Sequence, residues 1–65
     1  MKGGIERVKF FNSVKIGKNE ITYIDERSEE FIVDIDNILI KIQNIETKEC
    51  TYTSLHNVVF FTLKK

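Results

Sequence analysis

The side chains that could do chemistry are few, because the chain of 65 residues has one cysteine, Cys50, and one histidine, His56. A thiol in contact with an imidazole would make a nucleophile with its general base. Such a pair also needs a group that orients the base and donors for an oxyanion, and the sequence shows no pattern for either. The strand alternation described below places Cys50 in the core, and we interpret His56 as a turn residue. The sequence therefore predicts no catalytic residue and no enzyme.

The sequence also contains no complete motif for a metal site or a phosphate-binding loop. A structural zinc site needs about four Cys or His ligands, and the chain has two such residues. The segment Asp34-x-Asp36-Asn37 is similar to the start of a calcium loop, but the glycine and the closing glutamate of that loop are missing. The pair Gly3-Gly4 is not followed by the pattern of a phosphate-binding loop. We therefore expect neither a metal nor a cofactor.

A basic and aromatic pattern is the first candidate for binding. Arg7, Lys9, Phe11 and Lys15 alternate along one predicted strand and share a face. Such a face can track a phosphate backbone and stack a base, so single-stranded nucleic acid is one possible partner. The domain is not basic overall, as most nucleic-acid binders are. The alternative is a solvated edge strand protected by lysine.

The charges are unevenly spread along the chain although they sum to zero. Residues 1–18 carry a charge of +4, residues 19–36 a charge of −6, and residues 37–65 a charge of +2. The acidic segment could dock a basic surface of a partner or imitate a row of phosphates. The alternative is an ordinary solvated surface. The acidic candidates are Asp25, Glu26, Glu29, Glu30, Asp34 and Asp36.

These side chains must be positioned by β-strands, since alternation of apolar and polar residues recurs along a chain that has neither alanine nor proline. The pattern predicts strands over residues 7–16, 20–24, 31–36, 38–45, 50–53 and 58–63. A bulge is expected near Asn12, where the alternation breaks. Turns are predicted at residues 17–19, at Asp36-Asn37 and at residues 46–49, and a polar connection with room for one helical turn at residues 25–30.

The alternation also assigns side chains to the two faces of the sheet. The second strand has Ile21 and Tyr23 on a common face. The residues predicted to face the core in the other strands are Val8, Phe10, Val14, Ile16, Phe31, Val33, Ile35, Ile38, Ile40, Ile42, Cys50, Val59, Phe61 and Leu63.

The order of elements resembles a small SH3-like barrel across residues 1–65, taken as a single β domain. It runs from a long strand through a turn, a strand, an acidic loop and three meandering strands to a short 3₁₀ turn at residues 54–57 and a last strand. The resemblance implies an all-β fold with an antiparallel sheet of five to six strands. The tryptophan of true SH3 domains is absent, so recognition of proline motifs does not transfer. The other architecture considered is an open meander sheet completed by a second copy.

Apolar residues left on the outward faces are the second candidate for binding. Several bulky side chains on so small a domain can form one patch, and such patches mark interfaces. The predicted interface residues are Phe11, Ile32, Leu39, Val58 and Phe60.

The sequence thus favours a non-enzymatic protein-interaction module that associates with itself or with a protein partner. A composition rich in isoleucine, lysine and asparagine indicates an AT-rich genome, so an inhibitor or modulator encoded by a phage is one form of this hypothesis. The alternatives are a nucleic-acid-binding barrel and a structural component of a virion-like assembly. No signal peptide and no apolar run long enough for a bilayer is seen, which predicts a cytoplasmic protein without a membrane partner.

Overall fold

The computed structural model describes residues 2–64; Met1 and Lys65, the two ends of the predicted domain, lie outside the described residues. The elements are β1 Lys2–Ile16, β2 Asn19–Ile24, β3 Phe31–Asp36, β4 Leu39–Asn44, β5 Cys50–Ser54, the 3₁₀ turn η1 Leu55–Asn57 and β6 Val58–Leu63. The strands form one antiparallel sheet in the order β2-β1-β3-β4-β5, with β6 paired to β1, and the sheet is curled into a half-barrel. The predicted all-β class, the antiparallel sheet and the 3₁₀ turn are confirmed.

Strand β1 organises the sheet because it has 15 residues and pairs with three other strands. Its start, Lys2–Ile5, pairs with β3, while Ile5–Phe10 pairs with β6. Its second half pairs with β2, and the register shifts between Lys9 and Val14. The predicted bulge near Asn12 is therefore confirmed, and five residues from Lys9 to Ser13 occupy the length of about two on the facing strand.

The core is built almost entirely from β-branched side chains. Ile35, Ile40 and Ile42 on β3 and β4 are fully buried and lie at its centre, where removing one such side chain down to alanine costs about 2–5 kcal/mol. Phe31, Leu55, Val58 and Phe61 pack against this core while partly exposed. The buried apolar residues are Ile5, Val8, Phe10, Val14, Ile16, Ile21, Ile24, Val33, Ile35, Ile40 and Ile42.

The β3–β4 turn differs from its prediction by one residue. Asp36 pairs with Leu39, so the two turn residues are Asn37 and Ile38 rather than Asp36 and Asn37. Asn37 adopts a φ of 62°, a conformation that asparagine tolerates better than other non-glycine residues. Ile38 consequently leaves the strand and is 59% exposed, so its predicted inward position is wrong.

A buried asparagine holds the β4–β5 turn. Asn44 is the one buried polar residue within the described range, and its Oδ1 accepts hydrogen bonds from the backbone N–H groups of Glu46 (2.9 Å) and Thr47 (3.0 Å). The backbone N–H of Lys48 donates to the Asn44 carbonyl, and Lys48 has a φ of 68°. The predicted turn over residues 46–49 is confirmed. Residues 25–30, in contrast, form turns and bends without a helical turn.

Strand β2 does not keep a strict alternation. Ile21 and Ile24 are both buried although they are three positions apart. The cause is the bulge in β1, because it shifts the register so that Ile21 pairs with inward Val14 and Ile24 pairs with inward Val8. Tyr23 is exposed, so the expectation that it shares a face with Ile21 is wrong.

Strand β6 also shifts register, between its pairs Lys9–Phe60 and Phe10–Val58. Val58 therefore lies opposite buried Phe10 and packs against the core, and Val59 is exposed. The predicted outward position of Val58 and the predicted inward position of Val59 are both wrong. Phe61 packs against the core as predicted. Leu63 was predicted to face the core and is exposed, although it pairs with buried Ile5.

Strand β5 has the opposite orientation to its prediction. Thr51 pairs with Ile42, which is fully buried, so the inward residues of β5 are the threonines and the outward ones are Cys50 and Tyr52. Cys50 is exposed, and its predicted inward position is wrong. The error follows from pairing, because the register with β4 and not the apolar character of Cys50 decides which face it joins.

Alanine substitutions of two glycines test the backbone conformation of the β1–β2 turn. Gly17, in the β1–β2 turn, has a φ of 58°, and a Cβ there would lie 2.7 Å from Glu49 Oε1. We expect Gly17→Ala to lower the free energy of unfolding by about 1–2 kcal/mol, since L-residues are strained in this region. A Cβ on Gly3 meets nothing within 4 Å, so Gly3→Ala should be neutral or stabilising by about 0.5 kcal/mol. Urea unfolding of both variants measures this, and equal effects would contradict the assignment.

Candidate functional site

One end of the half-barrel carries no charge. Residues 50–63 contain no Asp, Glu, Lys or Arg, in a chain of which 31% is charged. The fold brings this stretch against two further uncharged segments, residues 10–14 of β1 and residues 37–40 of the β3–β4 turn. The contacts that assemble them all involve η1 or the residues next to it.

Asn57 ties the 3₁₀ turn to the bulge of β1. Its Oδ1 accepts a hydrogen bond from the Asn12 N–H (2.8 Å), and its Nδ2 donates to the Asn12 carbonyl (3.0 Å) and to Thr53 Oγ1 (3.1 Å). The Asn57 amide thus provides both the acceptor and the donor that a paired strand would offer to the bulged residue. This double contact fixes η1 beside Phe11.

The other side of the 3₁₀ turn is held to the β3–β4 turn. The Leu55 N–H donates to the Ile38 carbonyl (2.8 Å), and Ser54 caps the turn by accepting from the His56 N–H (3.0 Å). Leu39, next to Ile38, pairs with Ser54. Ile38 and Leu39 are therefore also neighbours of η1.

The two most exposed large apolar side chains of the described chain lie in segments that are hydrogen-bonded to η1. Phe11 is 68% exposed and Ile38 59%, and Leu39 and Val59 are also exposed. Phe11 lines an open depression with Asn12, Thr53, Ser54, His56 and Asn57. Leu39 lies opposite Asp36 and lines a second depression with Asp34, Asp36 and Lys41, so charged residues border the uncharged region on that side. We call this region the charge-free surface, and it consists of Phe11, Ile38, Leu39, Ser54, His56, Asn57 and Val59.

The predicted apolar interface is only partly brought together. Phe11, Ile32, Leu39 and Phe60 are exposed, and Val58 is not, because it packs against the core. Phe11 and Leu39 belong to the charge-free surface. Strand register places Phe60 beside Lys9 and Ile32 beside Gln43, so these two side chains belong to other parts of the sheet.

Two aromatic residues lie beside the basic face predicted on β1. The sequence predicts Tyr23 on the face of Ile21 and Phe60 in the apolar interface. Lys9 pairs with Tyr23 on one side and with Phe60 on the other, and the two rings lie with their centroids 6.4 Å apart. Lys9 therefore lies in a row between two exposed aromatic residues. Phe11 lies beyond the start of the bulge and faces η1 instead.

The other basic residues of this face meet acids. Arg7 donates two hydrogen bonds to the Glu26 carboxylate, Nε to Oε2 and a terminal nitrogen to Oε1, each 2.9 Å long. These bonds lower the pKa of Glu26 below its ordinary value and raise the pKa of Arg7 above its own. Lys15 lies opposite Glu20 in the β1–β2 ladder, but the Glu20 carboxylate accepts a hydrogen bond from Ser13 Oγ (3.4 Å) rather than forming an ion pair with Lys15. The positive charge of the face thus rests on Lys9 and Lys15.

The six acidic candidates separate into two groups. Asp34 and Asp36 point outward from β3, and the other four lie in the β2–β3 loop. In that loop Glu26 is bound to Arg7, and Asp25 forms an ion pair with Arg27 at 3.6 Å. Glu29 and Glu30 flank exposed Ile45 together with Glu46. The structure thus extends the acidic loop with Glu46, a residue outside the predicted group.

The catalytic possibilities considered from sequence are not assembled. Cys50 begins β5, and His56 lies in the 3₁₀ turn beyond the other end of that strand. Among residues 2–64, no three His, Cys, Asp or Glu side chains come together as metal ligands. None of the described residues forms a helix of the length and apolarity needed to cross a membrane.

Comparison of the chain with protein-family models, with curated proteins and with solved structures found no match.

Ile38, Val59 and Tyr23 are surface residues that strand alternation missed. A different signal was present in the sequence, since 14 consecutive residues without charge are unusual in so charged a chain. Interfaces are depleted of charge at their centre, and the stretch 50–63 could have indicated the surface on that ground.

The double contact of Asn57 can be tested directly. We expect Asn57→Ala to lower the free energy of unfolding by about 0.5–1.5 kcal/mol, because water replaces the lost partner of the exposed Asn12 N–H and C=O groups. Asn57→Asp should give a smaller loss, since a carboxylate still accepts from the Asn12 N–H. Urea unfolding and hydrogen exchange of the Asn12 amide measure the effect. Unchanged exchange in Asn57→Ala would show that η1 is held in another way.

Proposed function

We propose that the protein is a non-enzymatic protein-interaction module that binds a protein through the charge-free surface. The observation that carries the proposal is that Phe11 and Ile38, the two most exposed large apolar side chains described, both lie in uncharged segments that are hydrogen-bonded to η1. Depletion of charge with exposed aromatic and aliphatic groups is the composition of an interface centre.

The balance of buried and exposed apolar groups supports the same proposal. Among the described residues, eleven apolar side chains are buried and ten large ones are exposed. Single exposed apolar residues are ordinary, but several that share an uncharged region form a patch of the kind that marks a binding site. Inhibition of a host protein is one form that such binding takes, and it remains a prediction.

Core packing and hydrogen bonds also hold the backbone of the charge-free surface in place. Phe11 follows Phe10, which is buried, and the backbone of Asn12 is fixed by Asn57. Ile38 is held by the hydrogen bond from Leu55. A partner therefore meets a prearranged surface, which reduces the entropy lost on binding.

Phe11 is the residue to test. We expect Phe11→Glu to weaken binding of the protein partner by at least about 30-fold, corresponding to the roughly 2 kcal/mol of an interface hot spot. The experiment immobilises the wild type and the variant, captures proteins from a lysate of the cell in which the protein acts, and then measures the identified partner by calorimetry in purified form.

Ile32→Glu is the matched control, because Ile32 is also an exposed apolar residue that points outward from a strand but lies outside the charge-free surface. It should retain the partner. Circular dichroism confirms that both variants fold. A partner retained equally by Phe11→Glu, or lost with Ile32→Glu alone, would contradict the proposal.

A second candidate function is the binding of single-stranded nucleic acid, and the row Tyr23, Lys9 and Phe60 favours it. Two exposed rings beside an ammonium group can stack bases and contact phosphate. The pairing of Arg7 with Glu26 compensates one of the three positive charges of this face, so this candidate ranks second.

The test titrates a fluorescent oligothymidine at several salt concentrations. If the row binds it, Tyr23→Ala should weaken the affinity about 5- to 150-fold, the loss of about 1–3 kcal/mol for one stacked base. Lys9→Gln should reduce the salt slope by about 0.7. Lys48→Gln, in the β4–β5 turn, is the control and should change neither. An affinity absent at low salt would remove this candidate.

A further inference from the structure

We infer that the open edge of β2 receives an extended, basic segment of a partner protein as an additional strand of the sheet. Strand β2 lies at one end of the strand order and pairs with β1 alone among the described strands. Extended segments bind such edges through main-chain hydrogen bonds, while depressions beside the edge select their side chains. This edge is a second site, because it shares no residue with the charge-free surface.

The hairpin geometry determines which backbone groups of β2 point away from β1. Ile16 pairs with Asn19 across a two-residue turn, and the residues that flank such a turn exchange both ladder hydrogen bonds. Bonded positions alternate along an antiparallel strand, so Ile21 is the next residue of β2 bonded to β1. Glu20 and Thr22 therefore direct their N–H and C=O groups toward the open edge, where an added strand can bind them.

A groove runs along this open edge, with β2 on one side and the start of β3 on the other. Its apolar lining consists of Ile21, Ile24 and Phe31. The two isoleucines belong to the core, and Phe31 packs against it while partly exposed. Alternate side chains of a strand point to opposite faces, so every second side chain of an added strand would point toward this lining.

The charges of the groove select a basic ligand. Glu20, Asp25 and Glu30 line the groove, and within residues 2–64 no lysine or arginine does. Asp25 already forms an ion pair with Arg27, so the attraction for an added cation comes mainly from Glu20 and Glu30. Complementary charge of this kind favours one partner over others, and here it favours a segment that carries lysine or arginine.

The same charges oppose pairing of this edge with its own copy. Two such grooves placed together would bring three carboxylates from each copy into one interface, and desolvated like charges strongly oppose association. Natural edge strands are also protected by lysine or proline, and β2, with the sequence NEITYI, has neither. The edge thus repels an identical or acidic strand and attracts a basic one.

The experiment titrates the full chain, labelled with ¹⁵N, with a capped peptide of alternating lysine and valine up to about 1 mM. We expect the amide signals of Glu20 and Thr22 to shift and their hydrogen exchange to slow, because these N–H groups become bonded in a ladder. A peptide with glutamate in place of lysine should not bind. A peptide with proline in place of its central valine should bind at least about 10-fold more weakly, because proline cannot donate to the ladder.

Variants of the chain separate the groove from a general effect of acidity. Glu20→Gln combined with Glu30→Gln should weaken binding of the lysine peptide about 3- to 30-fold, the effect of losing two ion pairs at a solvated surface. Asp34→Asn combined with Asp36→Asn removes the same charge from the outward face of β3. This control should leave the dissociation constant within about twofold of the wild type at physiological salt, because distant charges are screened. Circular dichroism confirms that both double variants fold.

The outcomes decide between strand addition and other modes of binding. A lysine peptide that does not bind at about 1 mM, or that shifts amides away from β2, overturns the inference. Equal weakening by the two double variants, or undiminished binding of the proline peptide, also overturns it. Protection of Glu20 and Thr22 that depends on the groove carboxylates supports it. Phe11→Glu should leave peptide binding unchanged, so failure of this inference leaves the proposed function standing.

Discussion

The bulge in β1 is the constraint on which the rest of the structure depends. One strand pairs with β3, β6 and β2 in succession. The inward residues Val8, Phe10, Val14 and Ile16 keep their alternation through the bulge. The extra residues between Lys9 and Val14 instead shift the register with β2, so that Ile21 and Ile24 both face the core. The bulge also leaves the backbone of Asn12 free for Asn57, and this contact places η1 and the surface around it.

A domain this small divides its apolar residues almost equally between core and surface. Its eleven buried apolar residues are aliphatic except for Phe10, and the described exposed aromatic residues are Phe11, Tyr23, Tyr52 and Phe60. A chain of this length buries only about 60% of its unfolded surface, so a large share of its apolar side chains stays on the outer faces of the sheet.

Sequence alternation predicted the fold well wherever the strands are regular. In β3 and β4 the inward residues Val33, Ile35, Ile40 and Ile42 lie where the pattern placed them. Errors occur where a register shift or a displaced turn changes the face of a residue. The turn at Asn37 and Ile38 starts one residue later than predicted, and the bulge at Val59 reverses the start of β6. The bulge of β1 interrupts the alternation with the polar residue Asn12, but Ile38 and Val59 are apolar, so the pattern at these two positions gives no sign of the change.

The distribution of charge in three dimensions differs from its distribution along the chain. The basic first segment and the acidic second segment fold against each other, and Arg7 forms an ion pair with Glu26. The uncharged stretch 50–63, in contrast, is joined by uncharged residues from β1 and from the β3–β4 turn. Folding thus brings the uncharged segments together, and the contrast with the charged surfaces makes the region around η1 the best candidate for binding.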